Sequence, residues 1–365
     1  MGDMEQISVN LKERSYQVFI GNDIYKNVKN ELLNKGLKKQ VAIITTGPVS
    51  VHYLRDLLNV FDDDWRVLYY EVPDGESSKS FDMSHTLYTW LIENNFERNS
   101  TIIALGGGVV GDLAGFIAAT FLRGINLVHL PTSLLAMVDS SIGGKVGINH
   151  SLGKNLIGAF YQPKFVMIDI AKLVTLPEEE FTCGMGEVIK YGLIYDEQLF
   201  NKIERNFSKI NTNNFDLLLD IVYKCASIKA EVVSKDERES GLRSILNYGH
   251  TFGHALEVFY KYSGLKHGQA VLLGMKCSNY IANKLNLLTV EDVHRISNLI
   301  DRIKIQLPDK GEAIDRKVLL SLMYRDKKVE QGSIKCVLLE GIGKAINRKV
   351  NDEELLMESF GVINK

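Results

Sequence analysis

A short apolar run, Thr101 to Leu105, stops at Gly106-Gly107-Gly108-Val109-Val110-Gly111 and is followed by the helix-like stretch Asp112 to Thr120. A strand that turns into a helix through glycines is the unit from which parallel α/β sheets are built. Glycines let backbone amides approach an anion closely, and the amino terminus of the following helix favours negative charge. The spacing satisfies G-x-G-x-x-G in the strand–turn–helix context that a dinucleotide fingerprint requires. The acidic residue expected about 20 positions later is missing, since that region reads Leu130-Pro131-Thr132-Ser133. The turn thus points to dinucleotide binding without the standard ribose partner.

Around this unit, Val41 to Thr45, Val67 to Val72, Asn126 to Leu130 and Phe165 to Ile168 read as further strands. Val51 to Val60 and Ser80 to Glu93 have helical spacing. From about Leu173 the texture changes: Phe215 to Ser234, Gly253 to Tyr262 and Ala270 to Leu285 are helix-like, with little strand signal. A chain of 365 residues exceeds the usual single core. The expected fold is α/β, a Rossmann-like domain with a mostly parallel sheet over 1–172 and a mainly α-helical domain over 173–365.

The 43 basic and 45 acidic residues nearly balance, for a net charge of -2. That balance gives no overall attraction to nucleic acid or to an anionic membrane, so any anion must be held by a local basic cluster. Cys183, Cys225, Cys277 and Cys336 lie far apart with no Cys-x-x-Cys pair, which suits a reducing compartment. Residues Met1 to Asn10 lack the apolar core of a signal peptide, and no apolar run reaches the roughly 20 residues of a membrane span. A cytoplasmic location is expected.

Two histidines four apart, His250 and His254, share one face if their segment is helical; His267 follows, and Glu187 precedes in Gly186-Glu187-Val188-Ile189-Lys190. Two histidines and a carboxylate form a common set for a catalytic zinc with open positions. The Glu that a zinc protease carries after its first histidine is missing. Which two of the three histidines bind stays open at this level. Cap or surface histidines are the competing reading, weakened by the glycines flanking both segments.

Lys145, in Gly143-Gly144-Lys145, and Lys154-Asn155, in Leu152-Gly153-Lys154-Asn155-Leu156, are embedded among glycines and apolar residues. A charge in such surroundings needs a counter-charge or a bound anion. Arg123, Lys190, Lys229, Arg243 and Lys327 extend the set, and Asp139 is placed to neutralise or orient one lysine. An internal salt-bridge network is the bland alternative to a pocket for a highly anionic substrate.

Taken together, Pro73 to Lys79, Gly106 to Asp112, Leu130 to Lys145, Leu152 to Gly158, Gly186 to Lys190, Asp236 to Glu239, Asn247 to His254 and His267-Gly268 form a collinear set. In this the chain resembles the 3-dehydroquinate synthase family, from about Ile43 to Lys328. The resemblance implies zinc or cobalt on Glu187, His250 and His267, with His254 a substrate contact near the phosphate. It assigns substrate anions to Lys145, Lys154, Asn155, Lys229, Arg243, Asn247 and Lys327, and sets Asp139, Lys190 and Glu239 around the reacting hydroxyls. NAD would meet Glu76, Lys79, Gly107, Gly108, Asp112, Thr132 and Ser133. Arg123 would reach the neighbouring subunit's site, which implies a homodimer. The loop Thr45-Thr46-Gly47-Pro48 departs from the family's acidic or amide ribose contacts.

The family converts 3-deoxy-D-arabino-heptulosonate 7-phosphate to 3-dehydroquinate and phosphate, in the shikimate pathway to aromatic amino acids. NAD takes a hydride, phosphate leaves by elimination, the hydride returns, the ring opens and an aldol step closes the carbocycle, so no net oxidation occurs. The resemblance also implies that the substrate phosphate serves as its own base, which would account for the missing His–Asp pair. The rivals are another sugar phosphate cyclase, a metal-dependent polyol dehydrogenase, and a non-catalytic dinucleotide-binding protein. Holding both Lys229 and Arg243 favours the substrate that bears a carboxylate.

Overall fold

The computed structural model of the chain describes residues 4–308, 315–324, 329–330 and 333–363. The chain divides into two compact units, one of 1–181 with 211–238, the other of 182–210 with 239–365. The sequence suggests a single cut at 172/173; here the first unit runs on to Phe181 and takes in a later helix as well.

The first unit begins with an antiparallel pair, β1 (Glu5–Val9) and β2 (Tyr16–Gly21). A βα alternation follows: α1 (Val28–Asn34), β3 (Gln40–Thr46), α2 (Gly47–Leu58), β4 (Arg66–Val72), α3 (Phe81–Glu93), β5 (Thr101–Gly106), α4 (Gly108–Thr120) and β6 (Asn126–Pro131). A hairpin of β7 (Lys145–His150) and β8 (Gly153–Phe160) precedes β9 (Phe165–Asp169). Seven strands form one sheet in the order β1-β2-β9-β6-β5-β3-β4, parallel from β2 onwards.

Strands buried on both faces read as continuous apolar runs, and β3 and β5 do. On β3, Val41 and Ile43 enter the core shared with Val28, Leu32, Leu54 and Leu57, whereas Ala42 and Ile44 enter the core shared with Leu87, Leu91, Leu113 and Ile117. Each fully buried Ile or Leu stabilises the sheet by about 1.5–3 kcal/mol. The strand order reverses between β3 and β5, since the chain leaves β3 towards β4 on one side and β5 towards β6 on the other. In open α/β sheets the crevice beyond the carboxyl ends at such a reversal is where ligands bind. At that edge the glycine turn ends β5, and Gly47-Pro48 start α2 directly after β3.

His129 on β6 is buried, with its ring against Gly111 of α4. Burial pushes its pKa down to about 4. The folded pKa lies below the unfolded value of about 6.5, so the unfolded chain takes up the proton first. This stability is complete above about pH 6.5 and is lost as the pH falls from there through about 4, amounting to about 3 kcal/mol. The His129→Gln chain is expected to show a flatter dependence of denaturant midpoint on pH across that window. An unchanged slope would place the acid sensitivity elsewhere.

After β9 come the helices α5 (Glu178–Ile194), α6 (Glu197–Asn206) and α7 (Phe215–Lys235). The last of these belongs to the first unit, where Ser234 Oγ accepts from Asn10 N at 2.8 Å and Lys229 pairs with Asp139 at 2.6 Å. The second unit contains α5 from Thr182, α6, α8 (His250–Phe259), α9 (His267–Lys284), α10 (Val290–Asp301), α11 (Arg316–Tyr324) and α12 (Glu353–Ser359). It also carries an antiparallel sheet of β10 (Val329–Glu330), β11 (Ser333–Gly341) and β12 (Lys344–Val350), which the helical texture of this half does not anticipate. Among the described residues no helix is long and apolar enough to cross a membrane. The four cysteines are buried and none is in a disulfide among the described residues.

Candidate active site

Within the first unit the glycine turn packs closely against its neighbours. A Cβ on Gly107 would stand 3.3 Å from Ser133 Oγ, and one on Gly108 would stand 3.1 Å from Ser140 Oγ. Thr132 N donates to Gly106 O at 3.0 Å, which ties the ends of β5 and β6 together. Gly107, Gly108, Thr132 and Ser133 therefore share one edge, with Ser140 an addition that the sequence does not single out.

Beside the turn, Lys79 is buried and donates to Asp112 Oδ2 at 2.8 Å and to Asn155 Oδ1, with Glu76 Oε1 at 3.4 Å. Burial opposes its charge, but Asp112 and Glu76 outweigh it and hold the ammonium pKa above the usual lysine value. Asn149, also missed from sequence, donates to Glu76 Oε1 at 2.8 Å and accepts from Asn155 N at 2.9 Å. Its nearest signal in the chain is its place four residues after Lys145; its partner Glu76 lies 73 residues away. Arg123 has a left-handed φ of 69°, which costs of order 1–3 kcal/mol, and Asn155 one of 54°, which asparagine adopts more readily.

The lysines expected to be buried are not all so. Lys145 is exposed and Lys154 half-buried, whereas Lys229 is buried and bonded to Asp139 Oδ1. The glycines next to Lys145 instead accommodate another side chain, since a Cβ on Gly144 would stand 2.6 Å from the Gln162 amide. Arg123 is exposed just after α4. Lys327 lies outside the described residues.

The second unit gathers the histidines. Glu187 on α5 is 1% exposed. Buried Lys190 stands against Oε2 and balances the charge; His250 Nε2 is 3.8 Å from Oε1. His250 and His267 ring centroids lie 5.2 Å apart. The Nδ1 of His250 faces Tyr248 O at 3.2 Å, and that of His267 faces Glu257 Oε2 at 3.2 Å. Each ring thereby keeps Nε2 as the nitrogen able to bind a cation, a tautomer inferred from these partners.

Glu187, His250 and His267 offer ligand atoms all within 4.8 Å of one another, and so do His254, Glu257 and His267. In the second group Glu257 and His267 already satisfy each other. In the first, a buried carboxylate whose counter-charge is Lys190 converges with two imidazole nitrogens, a donor set that fits a divalent cation better. For His267, burial opposes the proton, but the hydrogen bond and charge of Glu257 with the charge of Glu187 prevail and raise its pKa. Nearby, Asn247 Nδ2 donates to Glu239 Oε1, Glu239 has a φ of 61°, and Arg243 is 1% exposed.

Glycines bring these ligands together. A Cβ on Gly268 would lie 2.0 Å from Cys183 O, so α9 begins against the backbone of α5 one turn before Glu187. Gly249, at φ 79°, sets the start of α8 and would carry a Cβ 2.6 Å from Val271 O. The glycines flanking the histidines in sequence are thus the positions where three helices meet backbone to backbone.

A parallel sheet with a glycine turn at its reversal, joined in one chain to a helical unit with a buried carboxylate beside histidines, is the architecture of the sugar phosphate cyclases. A solved 2-deoxy-scyllo-inosose synthase, complexed with carbaglucose-6-phosphate, NAD+ and Co2+, is similar with a TM-score of 0.85 and 28% identity, covering 98% of this chain and 99% of that one. The family model for the 3-dehydroquinate synthase N-terminal region matches residues 69–183, and that for the C-terminal region matches 184–329. The 3-dehydroquinate synthase of Geobacter metallireducens is 46% identical over 364 residues, covering 98% of this chain and 99% of that protein. That of Aliivibrio fischeri strain MJ11 is 44% identical over 346 residues, covering 94% of each. The chain belongs to the 3-dehydroquinate synthase family.

Proposed function

We propose that this protein is a carbon–oxygen lyase that converts 3-deoxy-D-arabino-heptulosonate 7-phosphate to 3-dehydroquinate and phosphate, using NAD and a zinc or cobalt ion. The observation that carries the reading is Glu187, a buried carboxylate paired with Lys190 whose oxygens converge with ring nitrogens of His250 and His267. The substrate is argued from the near-full-length relatives, whose identity of 44–46% exceeds the 28% to the inosose synthase.

When bound, NAD supplies a reversible hydride acceptor and the cation a Lewis acid for vicinal oxygens. Glu187, His250 and His267 would hold the cation. Gly107, Gly108, Thr132 and Ser133 would receive the dinucleotide phosphates at the turn, with Glu76, Lys79 and Asp112 beside them. Buried Lys229, oriented by Asp139, and buried Arg243 are suited to substrate anions, because a desolvated cation gains most from a charged partner. Lys145, Lys154 and Asn155 would complete the anion contacts, with His254 at the phosphate. Asn247 and Glu239, already bonded to each other, and Lys190 would orient the reacting hydroxyls. Exposed Arg123 would serve a neighbouring subunit in a cytoplasmic homodimer.

Substrate choice tests the reading. The holoenzyme is expected to turn over the heptulosonate phosphate and to leave glucose 6-phosphate, which has no carboxylate, unchanged. Turnover of glucose 6-phosphate alone would move the chain to the inosose-forming class.

A further inference from the structure

We infer that Glu257 is a positioning residue, which accepts a hydrogen bond from the Nδ1–H of His267 and so aims its Nε2 at the cation; this rests on the metal reading proposed above. Glu257 sits on α8, seven residues after His250 and three after His254, so one helix face carries all three. It is 4% exposed, and a carboxylate so buried requires a donor. His267 Nδ1 at 3.2 Å is such a donor. The ring must then present its lone pair at Nε2.

The two imidazoles are aimed by acceptors of different kind. His250 Nδ1 faces a neutral carbonyl, Tyr248 O, while His267 Nδ1 faces a carboxylate. A carboxylate behind the ring fixes its orientation and raises its basicity, which makes His267 the stronger of the two neutral donors. It also brings a second negative charge to the surroundings of a dication, in addition to Glu187. Losing the charge while keeping the shape weakens metal affinity by about 10–100-fold in comparable sites.

The test measures zinc affinity of the full chain by competition with a chromophoric chelator, with Co2+ absorption as a report of the ligand set. Glu257→Gln is expected to bind one ion about 10–100-fold more weakly than the wild type, with the Co2+ band positions retained. Glu187→Gln, which removes a ligand, is expected to lose more affinity and to change the spectrum. Wild-type affinity in Glu257→Gln, with affinity lost in Glu187→Gln, would overturn the positioning role and leave the ligand reading intact. A changed Co2+ spectrum in Glu257→Gln would make Glu257 a ligand, which also overturns it. A wild-type chain that binds neither ion would remove the metal reading and the inference with it. Independently of any variant's folding, imidazole 15N signals of the zinc-loaded wild type should show His267 protonated at Nδ1; zinc on Nδ1 would contradict the inference.

Discussion

Gly268→Ala is expected to destabilise the chain by about 3 kcal/mol, the upper end for overpacking, because the obstacle is backbone. The new Cβ would lie 2.0 Å from Cys183 O and 2.7 Å from Cys183 C, where no side chain can rotate away. Relief requires α9 to move from α5, and that motion separates His267, the first residue of α9, from Glu187. Gly268 N also donates to Cys183 Sγ at 3.2 Å, a bond that the same displacement lengthens. Thermal unfolding should therefore fall by roughly 6–12 °C for a unit of this size, and zinc affinity should fall with it. Gly47→Ala is the control, since nothing lies within 4 Å of a Cβ there; its stability should stay within about 0.5 kcal/mol of the wild type. Equal melting temperatures for the two variants would refute the close-approach account.

Arg243→Ala is expected to lower kcat/KM for the carboxylate-bearing substrate by about 2–5 kcal/mol of binding energy, some 30-fold or more. Arg243 is among the largest fully buried side chains of the protein, and a guanidinium taken out of water repays that cost only through strong, directed hydrogen bonds. Arg243→Lys keeps the charge and loses the planar fork, so it should recover only part of the activity. Unchanged kinetic constants in Arg243→Ala would mean that the substrate carboxylate is held elsewhere.

The parallel sheet was legible because β3, β5, β6 and β9 are buried strands whose Val, Ile and Leu runs stand out from their surroundings. β4 lies at the sheet edge and is only partly buried, yet its Val, Leu and Tyr residues carry a strand preference of their own. Other strands were not legible. β8 exposes most of its residues from Gly153 to Phe160, and so lacks the alternation of a half-buried strand. Helical spacing likewise gives α7 no address, and its place in the first unit comes from long-range partners such as Asp139 and Asn10. At the site, the glycines beside His250 and His267 were visible as neighbours in sequence, but their role depends on Cys183 and Val271 in other helices. Asn149 was hidden for the same reason. Glu257 could have been found, since its spacing from His250 and His254 puts all three on one face of a helix. The burial of lysines was only partly legible: glycine neighbours around Lys145 marked room for Gln162 rather than a buried charge.

Phosphate release from 3-deoxy-D-arabino-heptulosonate 7-phosphate, followed together with NADH absorbance in the presence of NAD and zinc, tests the central claim most directly. The account predicts phosphate release without accumulation of NADH, abolished by a chelator. Accumulation of NADH without phosphate would contradict it and identify a dehydrogenase.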